Sequence, residues 1–281
     1  MPLRDARMPG HDARAEALST PGEAPIAIER VAATGSTNDD LLARVRAHAA
    51  EGAARFAPCL LVAERQSAGR GRHGRRWQAT PGRSLTFSIA WQLRRSDLAG
   101  LSLALGSALA DALDSGTARI AIKWPNDLWL LDEVGANRPP GRKLAGILVE
   151  TAPLADARVV VIGVGVNVHA QPVADAASGV ASLAEIESDA TPAALLARVA
   201  PALVAALERF DALGFAGFAD AFAARDLLRG RAVCGEPGDV AGIAAGVGAY
   251  GALLVDTGAR VVAVASGEWR LRLAETAEPP C

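Results

Sequence analysis

The sequence predicts a chain in which helices and strands are mixed over residues 26–227 and strands alone fill residues 228–275, behind a leader at 1–25. Three observations carry this. Short apolar runs of strand length alternate with segments of helical period up to about Ala224. Thr191-Pro192 opens a long helical region, with threonine as cap and proline in the first turn. After Arg229 the texture changes to glycine-punctuated short runs of Val, Ala and Leu, the pattern of a small barrel-like domain.

Taken in order, residues 1–25 are charged, contain Pro and Gly, and are expected to carry no fold and no signal peptide. Ser36-Thr37-Asn38-Asp39-Asp40 starts a helix running to about Ala50, because short polar side chains cap the first turn and acidic ones suit its positive end. Leu60 to Glu64 is a strand ending in an arginine-glycine loop, and Leu85 to Leu93 alternates as another. Leu101 to Leu113 places Leu101, Leu105, Ala108, Leu109 and Ala112 on one helical face. Ile120 to Trp124 and Leu128 to Leu131 are strands around Pro125-Asn126-Asp127, and Ile147 to Glu150 with Val159 to Val168 forms a further pair. The helical region from Thr191 is expected to break near Pro201 and again at Gly214 to Gly217.

Composition narrows the function classes. The 281 residues carry 29 Lys+Arg against 31 Asp+Glu, a net charge of -2, which argues against a protein built to coat nucleic acid. Cys59, Cys234 and Cys281 are scattered and odd in number, so neither a disulfide framework nor a zinc site is expected and a reducing cytoplasm fits. No apolar run reaches the roughly 18 residues of a membrane span. Lys123 and Lys143 are the only lysines, all other basic residues being arginine. A compact ammonium kept in such a background suits a place where a planar guanidinium would not fit.

Four segments could carry chemistry. In Glu64 to Trp77, three glycines let the backbone approach a ligand and the five arginines within the segment supply forked donors, so a small polyanion is the natural guest; Trp77 could stack on a base or cover the loop. Lys123-Trp124-Pro125-Asn126-Asp127 is a proline-fixed turn that can aim an amide and a carboxylate into a cleft, the carboxylate to hold magnesium or orient a lysine. Arg142 to Glu150 sets Lys143 at the mouth of an apolar strand, where its ammonium can meet developing phosphate charge. Gly163-Val164-Gly165-Val166-Asn167 lacks the third glycine and following helix of a dinucleotide fingerprint, and is read as close packing that presents Asn167. The histidines share no metal spacing, and no serine sits in a nucleophile elbow.

In order and together, Gly35-Ser36-Thr37-Asn38, the Gln66 to Trp77 loop, Lys123 to Asp127, Arg142 to Glu150, Gly163 to Asn167 and the terminal Gly267-Glu268-Trp269 to Arg272 resemble the biotin–protein ligase family over about Ile26 to Leu273. The resemblance implies an α/β (α+β) catalytic domain related to class II aminoacyl-tRNA synthetases, with a small C-terminal SH3-like β-barrel. It implies biotin and ATP as substrates with Mg2+, formation of biotinyl-5′-AMP, and transfer to a lysine of a biotin carboxyl carrier domain of a carboxylase. By position, Ser36, Thr37, Asn38 and Gln66 would bind biotin; Arg70, Gly71 and Arg72 would belong to the loop closing over it; and Lys143, Arg72 and Asp127 would act in catalysis. Trp77, Lys123, Asn126 and Asn167 would attend ATP or the adenylate.

His73 stands where the family's loop usually has an arginine, and residues 132–141 form an insertion before Lys143. No helix-turn-helix pattern precedes the first motif, so no DNA partner is expected; a homodimer through sheet-edge pairing is open. Two other readings remain on the residues: a lipoate-type acyl–protein ligase of the same fold group, and a nucleic-acid-binding protein using the arginine-glycine loop.

Overall fold

A computed structural model describes residues 16–18, 26–114, 116–132, 141–155, 157–173, 179–236, 240–265 and 270–273. The described residues form one large mixed sheet with helices on both faces and, C-terminal to it, a smaller antiparallel sheet. The large sheet contains β1 (Glu16–Leu18), β2 (Ile26–Thr34), β3 (Cys59–Gln66), β4 (Ser84–Leu93), β5 (Ile120–Lys123), β6 (Asp127–Leu131), β7 (Gly141–Leu154) and β8 (Ala157–Asn167). Their spatial order is β1-β2-β3-β4-β8-β7-β6-β5. β2 and β3 run parallel and the other neighbours antiparallel. A parallel pair needs a crossover between its strands, and α1 (Thr37–Ala50) supplies it.

Alternation along the central strands sorts side chains between the two faces. Leu85, Phe87, Ile89, Trp91 and Leu93 of β4 join Val160, Ile162, Val164 and Val166 of β8 in the main core. That core is covered by α2 (Leu101–Leu113) and α3 (Pro192–Leu213). The intervening residues face the other way, where Leu61, Ala63, Ala90, Val159 and Val161 meet Leu41, Leu42 and Val45 of α1. α1 covers only part of this second face. From beneath the start of α1 outward, this face carries Thr86, Ser88, Gly146, Gly163 and Gly165, aligned across β7, β8 and β4 by the pairs Gly146↔Gly165, Thr86↔Gly165 and Ser88↔Gly163.

Most elements lie where the pattern puts them, with three differences. Glu16–Leu18, inside the expected leader, pairs antiparallel with β2 and extends the sheet edge. Pro201 does not break α3, which runs on to Leu213. A mid-helix proline costs about 3 kcal/mol. Leu195, Leu196 and Val199 before it and Leu203, Val204 and Leu207 after it are all buried in the same core, so continuing the helix keeps both halves packed. The break comes at Gly214 (φ 64°), followed by a 3₁₀ segment and the short α4 (Ala219–Ala223).

The third difference concerns the small sheet, made of β9 (Ala232–Glu236), β10 (Ala241–Val247), β11 (Leu253–Asp256), β12 (Val261–Val264) and β13 (Arg270–Leu273). Its order is β12-β11-β10-β9-β13, and among the described residues its end strands do not pair, so it is an open antiparallel sheet where a small barrel was expected. Val233, Ala244, Leu253, Val255 and Val264 enter the main core. Trp124 Nε1 donates to Gly251 O (2.9 Å), which ties the β10–β11 turn to the end of β5. Gly267 to Trp269 and the insertion residues 133–140 lie outside the described residues. Among the described residues no helix is long and apolar enough to cross a membrane.

Candidate functional site

Sequence-distant segments meet over the uncovered part of the second face, around a cavity of about 210 Å³. Its floor is the small-residue patch of β4, β7 and β8; its walls are the start of α1, the loop after β3, and the β5–β6 turn. The glycines matter as missing side chains. A Cβ at Gly163 would stand 2.5 Å from Asn38 Oδ1, and one at Gly165 would stand 2.2 Å from Trp77 Cε2. Only bare backbone lets the helix start and the indole lie directly on the sheet.

At one end of the cavity are Ser36, Thr37, Asn38 and Gln66. Ser36 is the N-cap of α1, its Oγ accepting from Asp39 N (3.4 Å). Gln66 Oε1 accepts from Thr37 N (2.8 Å), which fixes the glutamine amide and leaves its NH2 group as a donor for a ligand. Asn38 is 3% exposed and lies against Gly163, engaged with Glu150 Oε2 (2.9 Å) and Ser88 Oγ (2.6 Å).

The loop after β3 is a self-tied hairpin. Gly71 N donates to Arg75 O (2.7 Å), Trp77 N to Gly69 O (2.9 Å), and Arg76 Nη2 to Ser67 O (2.6 Å). Gly69 is required at the neck, since a Cβ there would meet Trp77 O at 2.6 Å. The tip turns through His73 (φ 55°) and Gly74 (φ 72°), both left-handed. Arg72 reaches across the cavity to Asn126 Oδ1 (3.3 Å), and Arg70 reaches Asp39 Oδ1 (2.9 Å) and Glu150 Oε2. Burial pushes the Arg72 guanidinium below its ordinary value, partly offset by the charge of Asp127.

At the opposite end from Thr37 both lysines are drawn together. Lys143 Nζ lies 2.8 Å from Asp127 Oδ1 and 5.7 Å from the centre of the Trp77 ring. Lys123 Nζ sits over the Trp129 ring at 4.6 Å. Burial lowers the Lys123 pKa; Asp127 works against this, while Lys143 and Arg75 add to it. Asn126 Nδ2 donates to Ile147 O (2.9 Å), fixing the turn whose Trp124–Pro125 bond is cis. The result is a concentration of cations, Arg72, Arg75, Lys123 and Lys143, around Asp127, the one lining carboxylate among the described residues, which suits an incoming polyanion.

The structure therefore gathers Ser36, Thr37, Asn38, Gln66, Arg70, Gly71, Arg72, Trp77, Lys123, Asn126, Asp127 and Lys143 on one cavity. Asn167 is the exception. It is 4% exposed and lies off the cavity wall, its Nδ2 donating to Lys143 O (3.4 Å) and its Oδ1 accepting from Gln171 Nε2 (2.9 Å). Each end of its amide meets protein, so it braces the strand that carries Lys143. Sequence reading passed over Thr86, Ser88 and Gly146; the available signal was the polar alternate positions within the apolar strand Leu85 to Leu93. Among the described residues no cluster of His, Cys, Asp or Glu could by itself hold a metal ion.

Comparison with known proteins gives the family. The profile of the biotin/lipoate A/B protein ligase family matches residues 53–167. The chain is 37% identical over 261 residues to the biotin–[acetyl-CoA-carboxylase] ligase of Mycobacterium tuberculosis, an alignment covering 86% of this chain and 87% of that protein. The chain belongs to the biotin–protein ligase family. It is also 37% identical over 222 residues to the bifunctional ligase/repressor BirA of Salmonella typhimurium, covering 76% of this chain and 67% of that one, so it spans about two thirds of that longer relative. Among solved biotin–protein ligases, that of Aquifex aeolicus in complex with biotin and ATP superposes with a TM-score of 0.70 at 26% identity, covering 88% of this chain and 99% of that one.

Proposed function

We propose that the protein is an ATP-dependent biotin–protein ligase that activates biotin as biotinyl-5′-AMP and transfers it to a lysine of a biotin carboxyl carrier domain. The observation that carries this reading is the polarity of this cavity: a neutral hydrogen-bonding end at Thr37 and Gln66, and a cationic end at Arg72, Lys123 and Lys143. A ligand with a neutral ureido ring at one end and a carboxylate at the other, next to a nucleotide phosphate, matches that polarity.

In the first half-reaction a biotin carboxylate oxygen attacks the α-phosphorus of ATP, and the bond to the bridging oxygen breaks as pyrophosphate leaves. Positioning and charge neutralisation do this work, with no protein nucleophile required. Ser36, Thr37, Asn38 and Gln66 form the ring-binding end, with Ser36, Thr37 and Gln66 as hydrogen-bonding groups. Arg70, Gly71 and Arg72 close the loop over the acid and its adenylate, excluding water from the mixed anhydride. Lys143 and Arg72 meet the charge that builds on the α-phosphate. Lys143 must leave Asp127 for the phosphate, and Asp127 then becomes available as the one lining carboxylate beside a magnesium ion otherwise held by the nucleotide's own phosphates. Such an ion would lower the charge seen by the attacking carboxylate. Trp77, Lys123 and Asn126 attend the nucleotide, while Asn167 acts through the backbone of Lys143.

In the second half-reaction the carrier lysine amine attacks the acyl carbon and AMP leaves. Residues 26–227 form the catalytic domain in this reading, and 228–275 an SH3-like domain, supported by short antiparallel strands that pair among themselves. The three scattered cysteines suit a reducing cytoplasm.

The test supplies the full chain with ATP, magnesium, labelled biotin and a biotin carrier domain. Label on the carrier's acceptor lysine, and none on a carrier with that lysine replaced by arginine, is the expected result. Label that ignores the replacement, or no label, overturns the reading.

A further inference from the structure

A line of polar contacts runs under the cavity wall from the ring-binding end to the arginine-glycine loop. Ser88 Oγ, 0% exposed, donates to Asn38 Oδ1 (2.6 Å). Its single proton being used there, the 2.6 Å contact between the Ser88 and Thr37 hydroxyls has Thr37 as donor, in preference to the longer 3.1 Å contact of the same hydroxyl with Gln66 Oε1. Gln66 Oε1 is then held by Thr37 N–H. Asn38 Nδ2 donates onward to Glu150 Oε2 (2.9 Å), and the same carboxylate takes the Arg70 guanidinium. Every donor from Thr37 onward points toward Glu150, so each bond polarises the next.

Glu150 shares strand β7 with Lys143 but stands further along it and is not among the cavity-lining residues. Its side chain is 26% exposed, whereas Asp39, the other partner of Arg70, is 51% exposed and more screened by water. A half-sheltered carboxylate aligned by a buried amide is the stronger anchor for the loop.

We propose that Glu150 is a positioning residue: through Arg70 it latches residues 69–77 over the cavity, and through Asn38, Ser88 and Thr37 it links that latch to occupancy of the ring-binding end. The inference rests on the function proposed above. Its consequence is that recognition of the ring and retention of the adenylate are coupled through five side chains, none of which touches a phosphate.

The experiment is limited trypsin digestion of the full chain with and without biotin, read by mass spectrometry at the arginines of the loop, beside chromatography of acyl-adenylate freed into solution without carrier. In the parent, biotin should slow cleavage and adenylate should stay bound. Glu150→Gln should raise loop cleavage in the presence of biotin, and adenylate escape, by about five- to tenfold. Asp39→Asn should do less, and Glu150→Asp, which keeps the charge, should restore part of the protection. Should Glu150→Gln fail to fold, Ser88→Ala carries the same expectation for biotin protection. Parent-like protection and retention in these variants overturns the latch. A parent chain with neither protection nor adenylate overturns instead the ligase reading on which the latch depends.

Discussion

The two faces of the large sheet are built from the same strands and do opposite things. On the face under α2 and α3, β4 presents Leu85, Phe87, Ile89, Trp91 and Leu93, all at most 8% exposed, and β8 presents Val160, Ile162, Val164 and Val166. One residue along, the same strands present Thr86, Gly163 and Gly165 to the cavity, with Ser88 buried beneath the start of α1. The first face gains stability from apolar area removed from water. The second gives that up for space and polarity, and α1 starts on the small residues, with Asn38 lying against Gly163. A site in this protein is thus a stretch of sheet where alternate positions shrink while the partner positions stay large.

The difference can be broken by exchange of roles. Ile89→Ala on the apolar face should cost about 2–5 kcal/mol in urea unfolding while leaving activity per folded molecule near the parent's. A loss of activity without a loss of stability would mean that the faces are not separable. On the other face, Lys143→Ala should lower biotin-dependent pyrophosphate exchange about 10²–10³-fold, as for loss of one preorganised charge-stabilising group, with the unfolding midpoint unchanged. Gly163→Ala sharpens the contrast further. Its Cβ would sit 2.5 Å from Asn38 Oδ1, so about 1–3 kcal/mol of strain falls on the helix start, expected chiefly as weaker biotin binding by calorimetry.

The smallest effect concerns pH. Burial moves Lys123 below the ordinary lysine value of 10.5, with Lys143 and Arg75 adding to the shift and Asp127 opposing it. The ammonium therefore loses its charge, as pH rises, before an ordinary lysine would. KM for ATP should climb on the alkaline side, and Lys123→Arg, which stays charged, should flatten that climb. Identical alkaline limbs in the two proteins would remove Lys123 from the nucleotide end.

Much of this was legible in the sequence, for local reasons. The alternation of Leu85 to Leu93, the apolar face of Leu101 to Leu113 and the Ser36 cap are short-range patterns, and the structure realises each of them. The arginine-glycine loop and the Pro125-Asn126-Asp127 turn announced themselves by residue types unusual inside a core. What failed depended on tertiary context: α3 continues through Pro201 because both halves are buried, and Glu16–Leu18 forms a strand because the edge of β2 is there to pair with. Asn167, expected at the nucleotide, stands just off the cavity lining, bonded to Lys143 O and Gln171. The Ser88–Asn38–Glu150 line was hidden for a similar reason, since its partners stand 50 and 112 residues apart in sequence. No local pattern reports such a pairing.

The most direct test of the central claim is exchange of labelled pyrophosphate into ATP, with biotin, lipoate and octanoate offered in parallel to the magnesium-loaded chain. Exchange with biotin alone is the predicted result, because the cavity pairs a neutral hydrogen-bonding end with a cationic one. Exchange driven by lipoate or octanoate, or by no acid at all, would contradict it.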